Sequence, residues 1–186
     1  MDLHSLMLEK YMREKVNRRT LLCERLSKIN QKIDNIRVKL ISTATTRYDS
    51  FVYLKSKTQI IILDNFLICR ESEKFNLFVQ DTEKVTCLMY SLACRLAKTE
   101  NILETFGPAD KQLEKKRDKL KSQLEEAKYL NKLVTNRAPK ILLILQKYIE
   151  DSSLVVDFKA SLEEKLKIIV ELKELDDKVC LSSVKI

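Results

Sequence analysis

The chain has 186 residues, a mass of 21.8 kDa and a formal net charge of +8. It holds 1 glycine and 2 prolines, where average usage would give about twenty-two together, so glycine-rich phosphate loops, tight hairpins and strained nucleophile elbows are excluded and a β-sandwich or doubly wound α/β domain is hard to build. Charged residues at 33% beside hydrophobic ones at 45% are too apolar for a disordered chain, too charged for a membrane span, and suited to long amphipathic helices.

The first segment runs from about Leu3 to Leu40, and its Leu22, Leu26, Ile29, Ile33, Ile36 and Leu40 recur at spacings of four and three. That is a coiled-coil seam, because a period of 3.5 keeps the stripe facing one partner. The run Ile41 to Thr46 holds poor helix formers, whose hydroxyls and β-branches predict a break or a weakened helix. A second segment spans about Tyr48 to Cys69, and a third about Ser72 to Phe106 with Ser72 as N-cap. Its stripe is Phe75, Phe78, Val85, Leu88, Leu92, Leu96, Leu103 and Phe106, widened by Val79, Met89 and Ile102.

Gly107-Pro108-Ala109-Asp110 is the clearest punctuation, with Gly107 as a left-handed C-cap, Pro108 as a stop and Asp110 as the next cap. A sharp turn there returns the chain antiparallel. The following helix carries Leu113, Leu120, Leu124, Ala127 and Val134 in heptad register, with Arg117 at one seam position. Pro139 predicts a kink or restart. Ile141 to Ile149 is apolar on nearly every side and reads as deeply buried. Asp151-Ser152-Ser153 supplies caps for a last helix, about Leu154 to Leu181, with Phe158, Leu162, Leu166, Ile169, Leu172, Leu175 and Val179 as its stripe. Seams this long must be buried against something. A homodimer satisfies that need; a compact monomeric bundle closing on its own hairpin is the alternative.

Sites of chemistry are scarce. The cysteines, Cys23, Cys69, Cys87, Cys94 and Cys180, are irregularly spaced, and the lone histidine is His4. No zinc pattern and no Cys–His or Ser–His arrangement follows; several of the cysteines sit where apolar residues are expected and read as small buried hydrophobes in a reducing compartment. Glu125-Glu126 and Asp176-Asp177 read as solvated pairs on helix surfaces. No catalytic residue, metal or cofactor is expected. The N-terminus has no signal-peptide pattern, and Ile60 to Leu63 and Ile141 to Leu145 are too short to span a bilayer, so a cytoplasmic protein is expected. Arg13, Lys15, Arg18, Arg19 and Arg25 are the strongest basic cluster, but only Tyr11 accompanies them, and nucleic-acid binding is not expected. A basic helical dimer also resembles the BAR class, which keeps binding to anionic membrane surfaces open.

From Phe75 onward the sequence resembles the C-terminal second Shroom domain. The resemblance rests on Lys74-Phe75-Asn76-Leu77-Phe78-Val79-Gln80-Asp81, Lys84-Val85 and Leu88-Met89-Tyr90-Ser91-Leu92, continuing through Cys94-Arg95-Leu96-Ala97-Lys98-Thr99-Glu100-Asn101, where the family reads approximately SLSGRLARVEN. Glu125 to Leu130, Tyr148 to Ser152 and Lys173 to Val179 extend it. Cys94 stands for the family glycine, Lys98 for an arginine and Thr99 for an apolar residue. The PDZ and actin-binding regions of full Shroom proteins have no counterpart in the 186 residues.

The resemblance implies a non-catalytic homodimeric adaptor that binds the central coiled coil of Rho-associated kinase, recruits and activates it, and so drives actomyosin contractility and apical constriction at the cell cortex. The kinase-binding residues it implies are Ser91, Leu92, Arg95, Leu96, Ala97, Lys98, Glu100 and Asn101. The expected architecture is all-α, with extended antiparallel coiled-coil helices in a dimer. Residues 1–71 form N-terminal coiled-coil helices, 72–182 a helical hairpin and C-terminal helices, and 183–186 a tail. A structural coiled-coil scaffold for another partner remains the third reading.

Overall fold

The computed structural model describes residues 3–52, 59–106, 111–149 and 151–183. They form five helices and no strand: α1 (Leu3–Val52), α2 (Gln59–Phe106), α3 (Lys111–Thr135), α4 (Ala138–Tyr148) and α5 (Ser152–Ser183). The expected all-α class is therefore observed. At 48 residues, α2 is about 70 Å long.

The periodic stripe of α1 is its buried face: Leu22, Ile29, Ile33, Ile36 and Leu40 are all in the core, with Leu26 partly covered. The break expected at Ile41 to Thr46 is absent, and α1 continues to Val52. Ser42 shows why: its hydroxyl donates to the Lys39 carbonyl at 3.1 Å, so a group that could compete with the helix bonds back onto it. Thr82, Thr86, Thr99 and Thr105 do the same with carbonyls four residues back. Ser72 is likewise no cap; α2 runs unbroken through it and buries it. The Gly107 to Asp110 turn lies outside the described residues.

Ion pairs fix the topology. Arg18 pairs with Glu171 and Arg25 with Glu164 (2.8 Å), so α1 and α5 are antiparallel. Lys165 pairs with Glu83 at 2.6 Å, and Tyr90, further along α2, feels Glu174 and Asp177 of α5; α2 and α5 are parallel. Glu100 pairs with Lys121 and Asp81 with Arg137, at 3.1 and 2.7 Å, so α3 returns antiparallel along α2. The larger core joins α1, α2, α4 and α5 around Phe75 and Phe158, whose rings lie 5.0 Å apart. A smaller one joins α2 to α3 through Leu92, Leu120 and Ala127, with Met89, Leu96 and Leu124 packed against them. One chain thus covers its own main seams.

Pro139 restarts the helix as expected. A turn at Asn136–Arg137 separates α3 from α4, and Pro139 occupies the first turn of α4, where a missing N–H costs nothing. Ile141, Leu145 and Ile149 are buried, but Leu143 is 64% exposed, so this segment is one-sided rather than buried all round. Asp151 caps α5: its Oδ1 accepts from the Ser153 N–H at 3.0 Å and the Ser153 hydroxyl at 2.6 Å. In α5, Ile168 is buried where Ile169 was expected, and Ser161 and Lys165 join the buried face. Cys23, expected to be buried, is exposed.

Lys165 places a charge inside this apolar frame. Its side chain is 10% exposed, and it lines a 390 Å³ cavity with Asn30, Arg37, Phe75, Gln80 and Glu83. Asn30 Oδ1 and Arg37 Nε are buried there without a partner. A cation so placed needs its carboxylate.

Three outcomes follow from this packing. Leu145→Ala is expected to lower unfolding free energy by about 2–5 kcal/mol, whereas Leu143→Ala changes it by about 0.5 kcal/mol or less; urea melts of both compare them. Lys165→Met alone strands the Glu83 carboxylate and costs about 3 kcal/mol, while Lys165→Met/Glu83→Leu recovers most of that loss. The Ser153 hydroxyl and backbone N–H hold the Asp151 carboxyl below the usual carboxylate range. Its stabilisation is complete above that range and is lost as pH falls through the depressed value. Urea midpoints followed into acid should therefore fall less steeply for Asp151→Asn than for wild type.

Candidate protein-interaction surface

Seven residues are nearly two helical turns, so heptad steps return to one face. Two such faces exist on α2. The inner face is covered by α1 and α5 along its first half and by α3 along its second. The other, Leu77, Asp81, Lys84, Leu88, Ser91, Arg95, Lys98, Ile102 and Thr105, runs at spacings of four and three. All of these but the half-buried Asp81 are exposed, and Leu77, Leu88 and Ile102 are 45%, 43% and 42% accessible. Leu88, expected in the core stripe, belongs to this open face instead.

The sequence-predicted residues divide between the two faces. Ser91, Arg95 and Lys98 lie on the open one. Among the described residues, neither Arg95 nor Lys98 has a side-chain hydrogen bond or ion pair. Leu92 faces inward, buried beneath Leu120 and Ala127, and Leu96 packs at the edge of that cluster. Glu100 is held by Lys121. Ala97 and Asn101 are exposed, and Ala97, two residues beyond Arg95, points nearly opposite it.

The positions that depart from the family motif fit this geometry. Thr99 is 3% exposed and spends its hydroxyl on the Arg95 carbonyl at 2.8 Å, so an apolar site takes a polar residue without an unsatisfied group. Cys94 lines a groove of about 180 Å³ between α2 and α5, with Tyr90, Arg95, Lys98, Lys173 and Asp176. Burial pushes the Tyr90 hydroxyl pKa up, and the Cys94 thiol and the carboxylates of Glu174 and Asp177 add to the rise. The phenol stays neutral at the floor of that groove.

Most of the basic cluster of α1 is paired within the chain: Arg13 with Glu9 of its own helix, while Lys15 sits over the Tyr11 ring. Arg18, Arg19 and Arg25 pair with Glu171, Asp176 and Glu164 of α5. Arg19 and Asp176, 2.9 Å apart, keep that carboxylate from Arg95 and Lys98 across the groove. Among the described residues, no group of three or more His, Cys, Asp or Glu could hold a metal, and no helix is long and apolar enough to cross a membrane. What the surface offers is a helical strip of separated apolar residues and free cations, the chemistry of a helix-docking face.

Sequence reasoning missed Lys84, Leu88 and Ile102 as surface. Their seven- and four-residue spacing from Arg95 was available, but spacing does not say which of two seams a neighbour covers.

Comparison with known proteins places this geometry in a family. The family model for the Apx/Shroom domain ASD2 matches residues 17–184, beginning well before the Phe75 at which the motif resemblance starts. The chain is 35% identical over 135 residues to Protein Shroom2 of Xenopus tropicalis, covering 69% of this chain and 8% of that protein. It is 38% identical over 122 residues to human Protein Shroom2 (61% and 7%), and 34% identical over 105 residues to Protein Shroom of Drosophila melanogaster (56% and 7%). It therefore spans less than a tenth of the length of these relatives. With nearly the whole chain inside the family match, the protein belongs to the Apx/Shroom ASD2 family.

Proposed function

We propose that this chain is a non-catalytic adaptor whose α2 binds the central coiled coil of Rho-associated kinase. The observation that carries the reading is the open face of α2, where Ser91, Arg95 and Lys98 of the family motif stand exposed between Leu88 and Ile102. A partner helix laid on this strip buries the apolar residues and brings carboxylates to the two cations. Kinase brought to the cell cortex in this way raises actomyosin contractility and constricts the cell apex. Membership of a cytoskeletal family supports that direction.

The acting unit is a homodimer. Met7, Tyr129, Leu143 and Val156 remain largely exposed on the single chain, which leaves apolar area for a second copy. The BAR-like reading loses ground because the α1 arginines that would face anionic lipid already pair with α5 carboxylates. A structural scaffold for another coiled coil would use the same strip.

The test is a pull-down with a Rho-associated kinase coiled-coil fragment. Arg95→Ala/Lys98→Ala is expected to weaken capture about tenfold or more, with helicity by circular dichroism unchanged and a sedimentation mass near twice the 21.8 kDa chain. A folded wild type that fails to capture the fragment overturns the kinase reading.

A further inference from the structure

Among the described residues, two ion pairs tie α2 to α3 and the turn that ends it, and they lie on opposite edges of the hairpin: Glu100–Lys121 on one and Asp81–Arg137 on the other. Heptad steps from the second pair trace the edge it marks. From Asp81 they reach Leu88, Arg95 and Ile102 on α2, and from Arg137 they run back to Leu130, Gln123 and Lys116 on α3. The open face of α2 therefore has a second wall. Leu130 and Leu133 are 44% and 45% exposed, and Lys116 and Lys119 are exposed.

The two ends of this groove differ in balance. Near Asp81–Arg137 it presents Leu77, Leu88, Leu130 and Leu133, with Lys84 as the one unpaired cation among these described residues. Towards the α2–α3 turn it presents Arg95, Lys98, Lys116 and Lys119 around Ile102, and none of these four cations has a side-chain hydrogen bond or ion pair among the described residues. Glu126 is exposed beside them, its Oε1 taking the Ser122 hydroxyl at 3.4 Å, and on the α5 side Asp177, with Asp176 held by Arg19, borders Arg95 and Lys98. Four cations without an ion pair still leave an excess of positive charge here, which selects an anionic partner.

We propose that α2 and α3 together form a docking groove for one acidic amphipathic helix, whose leucines pack between Leu88 and Leu130 and whose carboxylates lie along Arg95, Lys98, Lys116 and Lys119. This rests on the reading of α2 as the docking face and adds to it α3 as a second wall and a fixed polarity for the partner. An occupant with evenly mixed leucines and carboxylates would set charge against Leu88 and Leu130, and apolar side chains against the lysines, at either end.

The experiment uses two probes on the full chain, read by fluorescence anisotropy. One is the kinase coiled-coil fragment. The other is a designed helix of about eight turns with leucine seams in one half and glutamates in the other, beside a control of the same composition with the two evenly mixed. The variant is Lys116→Glu/Lys119→Glu, both exposed positions on α3, with circular dichroism and sedimentation alongside. Expected is binding of the segregated helix, weaker binding of the mixed control, and a loss of about tenfold or more in the variant. The same loss for the kinase fragment extends the groove to that partner. Segregated-helix binding that the variant loses, with no kinase binding by wild type, overturns the kinase reading and leaves the groove standing. No binding of the segregated helix, equal binding by wild type and variant, or equal affinity for the mixed control overturns the groove. A change of sedimentation mass in the variant assigns the groove to a second copy of the chain and also overturns it.

Discussion

A helix of 48 residues carries more apolar surface than one neighbour can cover, and the arrangement of the molecule follows from how α2 divides its own. Its first half gives Phe75, Phe78, Val79 and Val85 to the core shared with α1, α4 and α5. Its second half gives Leu92, and Met89 and Leu96 at the edge, to α3. Phe78, Val85 and Leu92 are heptad steps along one inner face, so the two sets of neighbours follow each other along it. The second heptad face stays open, and there part of the family motif meets solvent.

Charge is partitioned with the same economy. The basic residues of α1 form the strongest basic cluster in the sequence. In the fold, Arg18, Arg19 and Arg25 are matched across 139 to 157 residues of chain by carboxylates of α5. Such exposed pairs are worth little individually, about 0–1 kcal/mol, but they select the antiparallel alignment of α1 with α5. On the open edge of α2 and α3, Arg95, Lys98, Lys116 and Lys119 have no such match among the described residues. Inside the bundle, Lys165 and Glu83 add little stability over an apolar pair, yet they give α2 and α5 one register in which both charges are satisfied.

Much of this was legible in the residues themselves. The spacing of Leu22 to Leu40 and of Leu120, Ala127 and Val134 marked true buried faces, because a period near 3.5 is a direct consequence of helix geometry. Pro139 and Asp151 marked a restart and a cap for equally local reasons. The break at Ile41 to Thr46 is not observed, since the Ser42 hydroxyl bonds back onto the helix once packing holds it, and Ser72 is a buried residue inside α2 rather than a cap. At the candidate site, the exposure of Arg95 and Lys98 followed from their place in the motif. The inward turn of Leu92 agrees with its place in the apolar stripe, whereas the outward turn of Leu88, from the same stripe, did not follow. Both sit in acceptable seams, and only the position of α3 decides between them.

The antiparallel alignment of α1 and α5 brings Leu3 and Ser183, the outer ends of the two helices, to the same end of the bundle. A pulling force applied through those ends would act as on a zipper rather than as on a lap joint. Arg19–Asp176 and Arg18–Glu171 would part before Arg25–Glu164, and the apolar stripe would follow turn by turn, so load would fall on one contact at a time. The hairpin of α2 and α3, whose contacts lie off that line, would keep its shape while α1 peeled away. This makes the α1–α5 seam the mechanically weak element and the open face of α2 the protected one.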